Sequence, residues 1–482
     1  MAEGKNTAGV IYQHQLKIVS PYPFQMTVDF SLHCLVGDHA MFTLTGVLNE
    51  EQARNLLRSA SHQDRLELHH VDGQTIVKTL FMGQLYNYQL EHKRGVYHVT
   101  LQGISHTYDL DVECKSRSFQ KPELTYKELV RRVIQDYPNA DFIDMASQDA
   151  PTGNWWAQIE ETDWKFIKRT LSHLDGVLVA DIGAHRARFW FGFKDSAEEI
   201  ELPEGQYIIK KDLRQYRDIA ANYAGIDEPD LIGYEFQTHI YLEIGDCVKI
   251  EGRPMYVFES WAVFSNGVLL FRYQLRPHAG IRQNVIGSPL IQGIGLEGTV
   301  IDVARNVVKV HLDIDKTQDK AEARWFGYSS EGVNVWYIPP ELDARIKLHV
   351  MSPWEEDALV INSVRYAPAS DKEKDIEDGK MGDPKEKSLR TSEGKEMNLL
   401  KEEINFNTKG GCVSLTAHEA DGLTLESDSE IKIQSADSIT FDEFTEMNMR
   451  AEEQMVFVCG ETSVVWEKNL HLKSAVLKVS GK

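Results

Sequence analysis

The feature that most constrains this chain is an eight-residue repeat near its C-terminus. Apolar pairs recur at Leu423/Leu425, Ile431/Ile433, Ile439/Phe441, Met447/Met449 and Met455/Phe457, each displaced from the last by eight residues. Within a pair, the i, i+2 spacing places both side chains on one face of a strand. The residue between them (Thr424, Lys432, Thr440, Asn448 or Val456) points to the other face. Turn-forming and charged residues such as Ser427-Asp428-Ser429 and Ala436-Asp437-Ser438 separate the pairs. The register loosens through Val464/Trp466, Leu470/Leu472 and Leu477/Val479.

An eight-residue unit holds one strand of about five residues, roughly 17 Å long. Two apolar side chains per unit cannot enclose a core. Three chains wound together can. Each supplies one face of a triangular prism, the pairs meet on the axis, and interchain pairing satisfies the backbone groups. The expected needle core is the five pairs together with Val464 and Trp466. A single-chain solenoid and an aggregation-prone strand run are the competing arrangements.

At 482 residues the chain has room for several domains. Residues 1–120 alternate as strands at Met26–Phe30, Met41–Thr45, Phe81–Leu85 and Tyr97–Leu101, interrupted by a helix over Glu50–Ser61. Residues 121–280 open on a capping box, Thr125-Tyr126-Lys127-Glu128, ahead of a helical stripe of Leu129, Val130 and Val133. A further helix follows over Asp163–Leu174, and strands resume from Val177. These two segments fit a pair of small antiparallel barrels. Residues 281–368 carry short strands at Leu296–Asp302, Val307–Leu312, Ala323–Tyr328, Asn334–Ile338, Ala344–Val350 and Ala358–Val364, the pattern of a small closed barrel of the OB type. Residues 369–403 are expected to be a charged linker, or to become ordered only by lying on a neighbour: of the positions from 371 on, 11 are acidic and 8 basic, and none is aromatic. The repeat then occupies residues 404–482. The expected fold is mainly β with inserted helices.

The net charge of −22, from 74 acidic and 52 basic residues, disfavours nucleic acid and anionic membrane surfaces as partners. Five scattered cysteines, Cys34, Cys114, Cys247, Cys412 and Cys459, form no CxxC pair and suit reduced thiols. The N-terminal Met1-Ala2-Glu3-Gly4-Lys5 lacks an apolar signal segment, so synthesis in the cytoplasm without a signal peptide is expected.

Four places carry a family resemblance. They are Ser118-Phe119-Gln120 with Thr125–Val130; Glu161-Thr162-Asp163-Trp164-Lys165-Phe166-Ile167-Lys168-Arg169; Ile244-Gly245-Asp246-Cys247-Val248 with Tyr256-Val257 and Tyr273-Gln274-Leu275-Arg276-Pro277; and Trp325 with Trp336-Tyr337-Ile338-Pro339. With the octads, and in this order, they resemble the hub-and-spike proteins of contractile injection machines: the VgrG proteins of type VI secretion and the baseplate hubs of contractile-tailed phages. The resemblance implies a homotrimer whose hub barrels form a ring on an Hcp-like inner tube. It also implies an outward needle that punctures a target membrane and meets it only transiently. A PAAR-type tip protein, baseplate proteins and effectors are the implied partners, and export on contraction the implied destination. A trimeric tail spike or adhesion protein of a phage tail or bacteriocin is the alternative. The family's Pro-Glu-x-Gly-Asp turn is here Pro340-Glu341-Leu342-Asp343-Ala344, without the glycine.

Other motifs point to no chemistry. Gly293-Ile294-Gly295-Leu296-Glu297-Gly298 matches GxGxxG, but the β-branched run after it predicts a strand where dinucleotide binding requires a helix. Glu160, Glu161 and Asp163 fall at a helix start, where carboxylates favour the dipole. His69-His70 and His471 lack ligand partners at metal-binding spacing, so no metal or other cofactor is expected. Trp155, Trp156, Trp164, Trp325 and Trp336 suit core or interface packing better than nucleic-acid stacking, because no basic groove accompanies them. No GxSxG or HExxH is present, and the expected role is structural and non-enzymatic.

Overall fold

A computed structural model describes residues 10–194, 199–201, 206–211, 213–222, 227–329, 338–363, 385–391, 393–442 and 445–476, together with positions 383 and 478. The chain divides into two compact units, Met1–Tyr366 and Ala367–Lys482.

The first unit opens with β1 (Leu16–Val19), β2 (Met26–Leu35), β3 (Met41–Leu48), helix α1 (Glu50–Ser59), β4 (Arg65–Asp72), β5 (Thr75–Lys93) and β6 (Val96–Ser105). Alternation sends Phe30, Leu32 and Cys34 of β2 and Phe42, Leu44 and Leu48 of β3 to one buried face. Helix α1 interrupts the strands because Asn49 caps it: its Oδ1 accepts from Gln52 N (2.8 Å), and Gln52 Oε1 accepts from Asn49 N (2.9 Å).

Next come β7 (Cys114–Phe119), α2 (Tyr126–Ile134), β8 (Asp141–Asp144), β9 (Trp156–Thr162), α3 (Asp163–Ser172), β10 (Leu178–Ala180) and β11 (Arg188–Phe191). The capping box expected at Thr125 and Glu128 is formed. Leu129, Val130 and Val133 of α2 and Phe166, Ile167 and Leu171 of α3 are fully buried in a second core with Phe189 and Phe191.

β12 (Glu199–Glu201), β13 (Tyr207–Lys211), α4 (Leu213–Asn222), β14 (Ile232–Thr238), β15 (Cys247–Ile250), β16 (Arg253–Ser265) and β17 (Val268–Arg276) follow. The two strand groups join in one 12-stranded sheet, with the order β1-β4-β5-β6-β3-β2-β16-β17-β14-β13, β15 also pairing with β16 and β12 with β15. The join is antiparallel, with Leu32 opposite Ala262 and Cys34 opposite Ser260. One apolar core runs through both groups, from Phe42 and Leu44 to Phe271 and Tyr273. Gly83 permits the close approach of β5 to β6, since a Cβ there would lie 2.2 Å from the Ile104 carbonyl oxygen.

β18 (Gly295–Ala304), β19 (Val307–Leu312), β20 (Trp325–Tyr328), β21 (Arg345–Val350) and β22 (Ala358–Ser363) close into a barrel in the order β18-β19-β20-β22-β21. The expected strand over Asn334–Ile338 falls mostly outside the described residues. The GxGxxG stretch opens β18, so a strand follows it as the sequence predicts. At the departure from the family turn, Asp343 itself adopts φ +64°, the left-handed conformation a glycine usually takes.

The barrel core also receives Trp155, Ala157 and Ile159. Strand alternation turns Trp155 into the barrel and Trp156 into the helical core, and both are buried. Trp164 is buried too. Trp325 is not part of the barrel core: it stays partly exposed on β20 with the Lys309 ammonium 5.1 Å above its ring. Trp336 lies outside the described residues.

The second unit has an antiparallel meander of β23 (Lys387–Arg390), β24 (Glu396–Leu399), β25 (Glu403–Asn407), β26 (Val413–His418) and β27 (Gly422–Ser427). A three-stranded sheet of β28 (Met455–Cys459), β29 (Thr462–Trp466) and β30 (Leu470–Lys473) follows. The segment expected to be a linker thus supplies two strands, with β24 paired to β25 and β23 paired to β24.

Candidate assembly surface

The meander is apolar on one face and polar on the other. Register aligns Leu389, Met397, Phe406, Leu415 and Leu425 in one row across all five strands. A second row on that face runs Leu399, Ile404, Ala417, Leu423. The opposite face carries Asn398, Asn405 and Thr416, with Asn398 Nδ2 donating to Asn405 Oδ1 (2.8 Å) and Asn405 Nδ2 donating to Glu403 Oε1 (2.8 Å). Within the chain the apolar face is uncovered: Leu423 is 73% exposed and Phe406 45%.

The predicted needle residues separate into three groups. Leu423 and Leu425 sit on β27, the last strand of the meander. Ile431, Ile433, Ile439, Phe441, Met447 and Met449 lie between Ser429 and Gln454, where the described residues form neither helix nor strand, and all six are exposed. Met455, Phe457, Val464 and Trp466 come together on the three-stranded sheet, where Met455 is opposite Trp466, which is opposite Leu470, and Phe457 is opposite Val464, which is opposite Leu472. The rings of Phe457 and Trp466 meet edge to face at 5.3 Å. Leu477 and Val479 lie outside the described residues.

Glycine marks two of the turns. Gly422 (φ +83°) and Gly460 (φ +59°) close the β26–β27 and β28–β29 hairpins. No glycine occurs from Leu423 to Cys459. Among the described residues, the middle pairs expose apolar side chains on a stretch that joins no sheet. Sequence reading missed Leu389, Met397, Leu399, Ile404, Phe406 and Leu415 as part of this surface. Their i, i+2 spacing was the available signal, and the surrounding charge obscured it.

The hub's carboxylates are structural. Asp163, expected to serve a helix dipole, is fully buried among Arg117 Nη2 (2.6 Å), Lys115 Nζ (2.9 Å), Gln158 Nε2 (2.8 Å) and Tyr137 Oη (2.7 Å). Glu161 chelates buried Arg169, which also holds Glu355 of the barrel at 2.7 Å. Burial pushes the Glu161 carboxyl above its ordinary range. Arg169 opposes that shift, and Glu355, on the same guanidinium, adds to it. His39 lies 2.8 Å from the Thr107 hydroxyl and 3.5 Å from Asp111, an arrangement like a hydrolytic triad. Thr107 is only 1% exposed, so its hydroxyl is closed to substrate. His69 bonds Glu67 and Thr79 within β4 and β5, and His471 lies on exposed β30. Among the described residues, no group of three or more His, Cys, Asp or Glu side chains is placed to hold a metal.

No protein-family model and no curated protein matches this sequence. Solved structures do. The Escherichia coli c3393 protein is described as a component of the type VI secretion system similar in structure to the T4 bacteriophage tail proteins gp27 and gp5. It aligns over 73% of this chain and 100% of its own, at 13% identity and TM-score 0.53. The lidded Francisella PdpA–VgrG complex aligns over 87% and 81%, at 10% identity and TM-score 0.55. The half-lidded form aligns over 83% of each chain, at 9% identity and TM-score 0.53. The chain therefore has the mainly-β hub fold of these proteins, as the sequence resemblance anticipates.

Proposed function

We propose that this chain is the hub-and-spike subunit of a contractile injection machine and works as a homotrimer. The observation that carries the reading is the bare apolar surface of the second unit, repeated every eight residues, in a chain whose first unit has the hub fold. Fully burying one such side chain gains about 1.5–3 kcal/mol. Several per chain, in three chains, outweigh an association cost of ~4–15 kcal/mol.

The role is mechanical and non-enzymatic. The hub seats on an Hcp-like tube among baseplate proteins, and contraction drives the needle into a target membrane. Interchain pairing makes the needle stiff, because bending it would break backbone hydrogen bonds. A PAAR-type protein covers the tip, and effectors travel with the assembly; the Francisella VgrG likewise forms a complex with another protein, PdpA. The protein is made in the cytoplasm and leaves it on contraction. Sedimentation of the full chain and of a 1–370 truncation tests the reading. A trimer that depends on the second unit supports it, and a full-length monomer refutes it.

A further inference from the structure

The first unit contains a cleft outside its 12-stranded sheet. It lies where the start of β9, the end of α3 and the barrel meet, with a volume of about 900 Å³. Asn154, Trp156, His173, Arg324, Trp354 and Glu356 are among its walls. His173 stands edge-on to Trp156 at 4.8 Å and to Trp354 at 6.0 Å, which makes one side a continuous aromatic surface.

Arg324 is the cleft's unusual member. Its Nη1 donates to Asn154 Oδ1 at 2.6 Å, which fixes the guanidinium, and no described carboxylate pairs with it. By contrast Arg117, Arg169, Arg188 and Arg345 each hold a carboxylate. Burial without a compensating charge pushes the Arg324 pKa down. In a chain of net charge −22, an arginine held in place without an anion is an open half of a charge-assisted pair. The carboxylate of Glu356 at the rim works against polyanions, so the cleft suits one negative charge joined to an aromatic or apolar body. Its volume is at the upper end of that for drug-sized ligands, more than one amino acid fills.

We propose that this cleft binds the C-terminus of a partner polypeptide, with Arg324 taking the terminal carboxylate and Trp354 and His173 packing against an aromatic or large apolar last side chain. The site is built from first-unit residues alone.

Titration calorimetry of the full chain with the peptide Ac-Gly-Gly-Gly-Phe-OH, its C-terminal amide and Ac-Phe-OH tests the assignment. The peptide acid is expected to bind at least about tenfold more tightly than the amide. It should also bind more tightly than Ac-Phe-OH. Arg324→Met is expected to abolish the acid–amide difference, and Trp354→Ala to weaken both peptides. If Arg324→Met does not fold, the acid–amide comparison on the wild type and Trp354→Ala decide. Equal binding of acid and amide, binding of neither, or an acid preference that survives Arg324→Met overturns the proposal. Ac-Phe-OH binding as tightly as the peptide overturns the polypeptide assignment.

Discussion

At the scale of the residue, Asp343 and Arg169 show how this chain places polar groups where a simpler choice exists. Asp343 takes a left-handed conformation that costs most residues about 1–2 kcal/mol, less for Asp than for a β-branched residue. Asp343→Val is therefore expected to melt about 1 kcal/mol less stably than Asp343→Gly, measured by denaturant unfolding. Arg169 is sandwiched between two carboxylates and is only 2% exposed. Arg169→Met strands both, and should cost about 3–5 kcal/mol. Glu161→Gln should cost far less, since Glu355 remains paired. Some of this was legible in sequence. The Thr125–Glu128 box was, because a cap is a local signal. The burial of Asp163 was not, because its partners Lys115, Arg117 and Tyr137 arrive from other elements and no spacing rule links them.

At the scale of the element, strand faces were readable and strand partners were not. Period-2 alternation gives the inward side of β2, but its neighbour β16 lies over two hundred residues away, and only the folded core selects it. The octads show the same limit. Their apolar face follows from spacing alone, yet β27 and β28 are drawn into hairpins with turns at Gly422 and Gly460. The charged stretch before them read as a linker because composition outweighed the alternation of Leu389, Met397 and Leu399. In the glycine-free middle, inward and outward positions are expected to differ sharply. Ile439→Asp would bury an unpaired charge on the axis and should dissociate the trimer. Thr440→Asp, one residue on, should leave it intact, as sedimentation equilibrium would show.

At the scale of the whole molecule, the hub is fastened by ion pairs that give acid sensitivity a definite sign. Glu243 is held by Lys78 at 2.7 Å and by Lys194. Burial alone would raise its carboxyl, but the two ammoniums prevail and hold it at about 2 against an ordinary 4.5. The stability it contributes is present above pH 4.5 and is lost as pH falls toward 2. Glu243→Gln should flatten that limb of the stability–pH curve and cost on the order of 1–2 kcal/mol at neutral pH.

The central claim is that three chains bring their octad pairs to one axis, and a single cysteine can report on it. In a chain whose exposed Cys114, Cys412 and Cys459 are replaced by serine, Ile439→Cys would put one thiol per chain at that axis. On oxidation, two of every three thiols can pair and the third is left alone. Denaturing gels should therefore plateau at about two-thirds of the chains in disulfide-linked dimers, within the close Cβ approach a disulfide requires. Complete conversion to dimer, or none, would contradict the three-fold needle.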